Sequence, residues 1–105
     1  MRWLMEFSIK EGKETYVTLA GKLDFARAPK LMDALAELKG KDISTIVFEC
    51  AELTYISSSG IRVIIFAQQK IASGMTIVMV DVNEEVMEVL DICGLADFIE
   101  FKTSS

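Results

Sequence analysis

Apolar and polar residues alternate along two stretches near the start of the chain. The first stretch covers residues 5–10, beginning at Met5, and the second covers residues 16–19. A period of two is typical of a half-buried β-strand. The segment Glu11-Gly12-Lys13-Glu14 lies between them and contains a turn glycine. These positions predict an opening β-hairpin, whose second strand is closed by Gly21.

Apolar residues then recur at helical spacing, which predicts a first helix that ends at Gly40. Its start is either Asp24, a good N-cap residue, or a position nearer Arg27, since Pro29 would otherwise fall in the second turn. Its apolar stripe is Ala28, Leu31, Leu35 and Leu38.

A second helix is predicted over residues 61–72 with its end at Gly74, and a third between the N-cap Asn83 and the stop residue Gly94. The core side of the second helix is Ile61, Ile64, Ile65, Gln68, Ile71 and Ala72. The apolar stripe of the third is Val86, Val89, Leu90 and Cys93.

Strand-like runs at residues 43–49, 75–80 (beginning at Met75) and 98–102 complete the pattern. The order β-β-α-β-α-β-α-β predicts an α/β fold: a mixed, mostly parallel sheet opened by a β-hairpin, with helices crossing between strands. The length of 105 residues predicts a single domain over residues 1–105, in which residues 103–105 form a loose tail.

The charge of the chain excludes some partners. It carries 11 basic and 16 acidic residues, a formal net charge of −5. Nucleic-acid binding depends on basic contacts to phosphates, so no nucleic-acid partner is expected. No apolar run approaches the roughly 18 residues of a membrane span, and the amino terminus does not resemble a signal peptide. We therefore expect a cytoplasmic protein without direct membrane insertion.

The chain contains no histidine, so neither a Ser-His-Asp triad nor a histidine-containing zinc site can be built. A Ser-Lys mechanism would need a lysine beside a serine, and nothing in the sequence places one there. Cys50 and Cys93 are isolated and predict buried, reduced thiols. No metal, no other cofactor and no enzymatic activity are expected.

Three serines and a glycine, Ser57-Ser58-Ser59-Gly60, lie where a strand-like run passes into a helix-like run. Hydroxyls at a helix entrance can cap free backbone N–H groups, and a phosphate there would meet the same donors and the positive end of the helix dipole. In mostly parallel sheets, sites also collect at the carboxyl ends of strands. The cluster is therefore either a capping device or an exposed switch that can be modified.

Three motifs occur in order along nearly the whole chain: Gly21-Lys22-Leu23-Asp24 before a helix, residues 53–61 around the serines, and Cys93-Gly94-Leu95. In sequence and spacing they resemble the STAS-domain anti-sigma factor antagonists of bacteria. The resemblance implies a regulatory module that binds an anti-sigma factor, itself a serine kinase, and so releases a sigma factor. It also implies that this kinase ends the interaction by phosphorylating one serine, and that a serine phosphatase reverses the modification.

The resemblance places the phosphoacceptor at Ser58, with Ser57 and Ser59 as less favoured acceptors. The family usually has an aspartate where this chain has Ser57, so a carboxylate beside the acceptor is missing. This departure favours an alternative function, a non-phosphorylated STAS subunit of a transporter or of a larger signalling assembly.

The predicted partner-binding residues surround the serines: Asp24, Ser57, Ser59, Gly60, Ile61, Arg62, Val63 and Phe66. Two interpretations stay open for several of them. Asp24 either caps the first helix or also contacts the partner, and Arg62 is either a solvated charge or a recognition residue. Val63 and Phe66 fall among polar residues on the helical wheel, so they either form an apolar docking patch or are covered by neighbouring chain.

Overall fold

The protein is described by a computed structural model over residues 6–71 and 76–104. The strands are β1 (Glu6–Lys10), β2 (Glu14–Leu23), β3 (Thr45–Ile56), β4 (Thr76–Val80) and β5 (Glu100–Lys102). The helices are α1 (Ala28–Ala36), α2 (Ser58–Phe66), which a π-helical turn (Ala67–Ile71) continues, and α3 (Glu84–Ile92). The predictions at Met5, Ala72, Gly74, Met75 and residue 105 lie outside the described residues.

The strands form one five-stranded sheet in the order β1-β2-β3-β4-β5. The β1–β2 pair is antiparallel and the other three pairs are parallel. Each parallel crossover therefore steps one strand in the same direction, and since such crossovers are right-handed, α1, α2 and α3 lie on the same face of the sheet. The predicted mixed, mostly parallel sheet opened by a hairpin is confirmed.

A single hydrophobic core fills the space between that face and the helices. Alternate strand residues point into it: Val17, Leu19, Ile46, Phe48, Ile77 and Met79. Buried helix residues meet them from above: Leu31, Leu35, Ile61, Ile64, Val86 and Leu90. Each large apolar side chain buried in this way contributes roughly 1.5–3 kcal/mol. The core thus fixes the start of α2 against the ends of the central strands.

The first helix begins at Ala28, with Arg27 at the N-cap position. Pro29 therefore lies in the first turn of α1. Backbone N–H groups in a first turn make no intrahelical hydrogen bond, so a proline there costs none. The start nearer Arg27 is confirmed, and the N-cap at Asp24 is wrong. The Asp24 carboxylate instead closes the preceding turn, since its Oδ1 accepts hydrogen bonds from the N–H groups of Ala26 at 3.1 Å and Arg27 at 3.2 Å.

The two central strands, β2 and β3, are longer than predicted. Gly21 does not close β2; it adopts a positive φ of 78° beside a register shift and lets the strand continue to Leu23. Strand β3 likewise continues past Glu49 to Ile56. Parallel pairing carries both strands beyond the residues whose alternation predicted them, and the serines therefore follow β3 directly.

Helix α3 has the predicted cap, because the Asn83 Oδ1 accepts a hydrogen bond from the Val86 N–H at 2.8 Å. Gly94 follows the helix with a positive φ of 76°. Cys93, however, is exposed, so its placement in the buried stripe is wrong. The last strand is also shorter than predicted, since a 3-10 turn forms over Ala96–Phe98.

The carboxyl-terminal tail is tied to the sheet at Ser104, contrary to the prediction of a loose tail. The Ser104 N–H and hydroxyl donate to the Asp81 carboxylate at 2.9 Å and 2.6 Å. These bonds lower the pKa of Asp81. Among residues 6–71 and 76–104, no helix has the length and apolar character needed to cross a membrane.

We predict that the native protein reacts quickly with a thiol reagent at Cys93 and not at Cys50. Burial raises the pKa of the Cys50 thiol to about 12, helped by the negative charges of Asp81 and Glu49. Little Cys50 thiolate therefore exists at pH 8. An aromatic disulfide reagent should label one cysteine in buffer and both in denaturant, and Cys93→Ser should abolish the native reaction. Equally fast labelling of both native thiols would contradict this assignment.

Candidate functional site

The serine cluster stands where β2 and β3 end side by side. Leu23, the last residue of β2, pairs with Ile56, the last residue of β3. The Ser57 N–H, one residue further on, donates to the Leu23 carbonyl at 2.9 Å. The position of the first serine is therefore fixed by the parallel pairing of the two central strands.

Ser57 is the N-cap of α2. Its backbone is extended, and its Oγ accepts a hydrogen bond from the Gly60 N–H at 3.3 Å. The same hydroxyl donates to the Leu23 carbonyl at 3.3 Å. Serine and aspartate are both favoured N-cap residues, so the exchange of the family aspartate for Ser57 preserves the cap. An ionised carboxylate could not make the donated bond, because it only accepts.

Ser58 is the exposed serine of the cluster. It is the first residue of α2, whereas Ser57 and Ser59 are half-buried. In the described part of the chain, the side-chain hydrogen bonds at this helix entrance involve the Ser57 hydroxyl and not those of Ser58 or Ser59. Capping and exposure, which were alternatives for the cluster as a whole, therefore belong to different residues.

Gly60 lies where no side chain fits. A Cβ at this position would stand 2.7 Å from the Leu23 carbonyl oxygen and 2.7 Å from Ile56 Cγ1. The first turn of α2 therefore packs its backbone directly on the ends of β2 and β3. Ile61 is also buried, at 5% exposure. Both residues pack the start of α2 against the interior, and neither offers a side-chain surface to a partner.

The predicted docking patch of Val63 and Phe66 is wrong. Val63 is fully buried, and Phe66 is half-buried against the core. The Lys39 Nζ lies 5.4 Å from the centre of the Phe66 ring. Helix α1 packs against α2, a neighbour that a helical wheel of α2 alone cannot show. Of the two interpretations, coverage by neighbouring chain is the one observed.

Asp24 and Arg62 do lie near the serines, at the carboxyl edge of the sheet. Asp24 is half-buried and directly follows Leu23, whose carbonyl holds Ser57. Arg62 is exposed one helical turn after Ser58, and residues four apart are neighbours on a helix surface. The carboxyl edge of the sheet therefore brings together a carboxylate, a free hydroxyl and a guanidinium group.

Two exposed aromatic residues at this edge were missed from the sequence. Phe25 follows Asp24 and is 77% exposed, and Tyr55, next to the end of β3, is 47% exposed. Neither belongs to an apolar periodicity. The available signal was their position inside or directly after two of the motifs that surround the site. We call Asp24, Phe25, Tyr55, Ser58 and Arg62 the serine surface.

A groove of about 260 Å³ runs from the end of β3 to α3. Its floor is largely apolar, and two carboxylates lie at its rim. The lining residues are Thr54, Tyr55, Ile56, Glu85, Val86, Glu88 and Val89. In the described ranges no three acidic or thiol side chains converge as a metal site would require.

These features define an α/β domain with one covered sheet face and a serine-capped helix at the carboxyl edge of the sheet. A family model described as STAS domain matches residues 7–105. Since the match covers nearly all of the sequence, the chain belongs to the STAS-domain family, as its motifs predicted. One relative is the anti-sigma-B factor antagonist of Listeria monocytogenes serovar 1/2a. It is 26% identical over 101 residues, which cover 93% of this chain and 89% of the relative.

Solved structures share the fold. The Bacillus cell fate determinant SpoIIAA in its phosphorylated form matches with a TM-score of 0.74 at 16% identity, over 94% of this chain and 93% of that one. A sulfate transporter family protein from Wolinella succinogenes matches with a TM-score of 0.71 at 13% identity, over 86% of this chain and 76% of that one. At such identities the likeness shows the fold alone.

We predict that Ser57→Ala destabilises the protein by about 1 kcal/mol, the usual cost of losing an N-cap. Ser58→Ala should change the free energy of unfolding by less than about 0.5 kcal/mol, as expected for an exposed residue. Urea unfolding followed by circular dichroism measures both. Ser57→Asp, which caps but cannot donate to Leu23, should fall between them. Equal effects at positions 57 and 58 would refute the division of roles.

Proposed function

We propose that this chain is an anti-sigma factor antagonist switched by reversible phosphorylation of Ser58. In this proposal it binds an anti-sigma factor that is a serine kinase, and so releases a sigma factor. The observation that carries the proposal is the exposed hydroxyl of Ser58 beside a Ser57 hydroxyl already engaged in capping. The name of the Listeria relative and the phosphorylated form of SpoIIAA are consistent with it.

Ser58 is the preferred acceptor for a geometric reason. A kinase must bring the γ-phosphate of ATP in line with the attacking oxygen, which requires an accessible hydroxyl. Ser57 is half-buried with bonds on both sides of its oxygen, and Ser59 is half-buried one position further into the helix. Phosphorylation at either would disturb the helix entrance, whereas at Ser58 it would not.

A phosphate on Ser58 acts on the interface and leaves the fold intact. It adds nearly two negative charges at neutral pH. The free N–H groups and the positive dipole end of α2 stabilise these charges within the domain. Arg62, one turn further on, offers a guanidinium within reach of the same helical face. A closely fitted partner would instead have to desolvate the phosphate, so binding weakens.

The serine surface has the composition of a protein interface. Exposed aromatic side chains supply contact area at low entropic cost. Tyr55 lies one residue before the paired end of β3, and Phe25 lies two residues after the paired end of β2. Asp24 and Arg62 add polar groups at the same edge. We place the contact with the anti-sigma factor here, with the groove toward α3 extending it.

Phosphorylation is tested by incubating the purified chain with ATP and the serine kinase encoded beside its gene. Intact-mass spectrometry should find one added phosphate. Ser58→Ala should prevent the modification, while Ser59→Ala, a matched change one residue away, should retain it. An unmodified mass together with no detectable complex would refute the proposal and favour a transporter or signalling-assembly subunit.

Docking is tested separately with exposed aromatic residues. Phe25→Ala and Tyr55→Ala should each weaken the complex by about 10- to 100-fold in calorimetry, as truncating an interface aromatic commonly does. Phe98→Ala is the control, because Phe98 is 62% exposed but precedes β5 at the opposite, amino edge of the sheet. Equal losses from all three variants would place the contact elsewhere.

A further inference from the structure

The groove between the end of β3 and α3 has two walls that one side chain holds together. The Asn83 Oδ1 caps α3 by accepting from the Val86 N–H at 2.8 Å, and the Asn83 Nδ2 donates to the Leu53 carbonyl of β3 at 3.1 Å. The volume of about 260 Å³ is smaller than the roughly 300–1,000 Å³ of small-molecule sites. The groove is therefore sized for side chains of a protein partner.

The apolar part of this groove continues onto the exposed side of α3. Within the groove Val89 is half-buried, and Tyr55 on the facing wall is 47% exposed. Further along the helix, Ile92 is 80% exposed. Residues three and four apart are neighbours on a helix surface, so Glu85, Glu88 and Ile92 form one row about 10 Å long. Apolar and acidic side chains thus lie next to each other along α3.

The negative charge of the chain is concentrated in α3 and its flanks. Residues 81–100 contain seven acidic residues and no lysine or arginine, whereas the rest of the chain has nine acidic and eleven basic residues. Glu84, Glu85, Glu88 and Asp91 are exposed, and in the described part of the chain none of them makes an ion pair. Such a surface repels anionic lipids and nucleic acids and attracts a cationic partner.

We propose that the groove binds a basic, amphipathic segment of a protein partner. An apolar side chain of this segment enters the groove beside Tyr55 and Val89, and lysine or arginine side chains next to it pair with Glu85 and Glu88. A second apolar side chain packs on Ile92. Charge complementarity selects this occupant, because a neutral or acidic segment would desolvate the carboxylates without giving them a partner.

The inference rests on the proposed function for the identity of the partner, which is then the anti-sigma factor. Tyr55 belongs both to the serine surface and to the groove. A partner bound at the serine surface can therefore continue onto α3 with its basic segment. The chemistry of that segment follows from the groove itself, and long-range attraction to the acidic helix speeds its association.

The chemistry is tested first with a synthetic peptide, without any kinase. The isotope-labelled chain is titrated with a peptide of lysine and leucine, about 14 residues long so that a helix can form, with the leucines on one face. The amide NMR shifts should centre on residues 54–56 and 85–92. Replacing the leucines by serine should weaken binding at least about tenfold, since it removes the apolar contact.

In the chain, Glu85→Gln combined with Glu88→Gln should weaken peptide binding about tenfold. The matched control is Asp33→Asn combined with Glu37→Gln, because both residues are exposed at α1 and the net charge changes by the same amount. The control should bind as the wild-type chain does, and circular dichroism should show that every variant is folded. Shifts centred elsewhere, or equal weakening by the two pairs of substitutions, would overturn the inference.

The second measurement uses the anti-sigma factor encoded beside the gene. The double variant at Glu85 and Glu88 should bind it about tenfold more weakly and with less sensitivity to salt between about 50 and about 300 mM. Ile92→Ser should also weaken the complex. A complex indifferent to these substitutions would overturn the inference and leave the proposed function standing. Peptide binding in the groove without any anti-sigma complex would support the chemistry of the groove and count against the proposed function.

Discussion

The parallel pairing of β2 and β3 is the interaction on which the rest of the structure depends. It runs from Glu14 opposite Thr45 to Leu23 opposite Ile56, so the two strands end together. The Leu23 carbonyl at that end receives both the N–H and the hydroxyl of Ser57. Gly60 then lets the first turn of α2 rest directly on the same two strand ends. The pairing of β2 and β3 thereby fixes the position of the first turn of α2.

The same pairing gives Ser57 and Ser58 different roles: Ser57 caps the helix, and Ser58 is exposed. One hydroxyl is used internally to satisfy a backbone donor and a backbone acceptor, and the next is turned to solvent. This arrangement suits a switch, because charge can be added at Ser58 without removing a bond that holds the fold. It also explains how serine serves in place of an aspartate at position 57: the N-cap needs an oxygen acceptor, and either side chain supplies one.

The strand order gives the molecule two different faces. Because every crossover steps in one direction, the helices and the core are confined to one side of the sheet. The serine surface lies where that side meets the carboxyl ends of the strands.

Local sequence determined the class of elements, because periodicity and capping act within a few residues. The hairpin, the stripe from Ala28 to Leu38, the Asn83 cap and the stop at Gly94 all follow from such short-range signals. Only the tertiary structure decided the length of β2 and β3, the burial of Val63 and the exposure of Cys93 and Phe25. These strand lengths and burials depend on which segment packs over which. A helical wheel or an alternation pattern describes one segment alone and carries no information about the segments packed against it. The serine motif could be found in the sequence, but the division of roles between Ser57 and Ser58 required the position of Leu23, 34 residues from Ser57 along the chain.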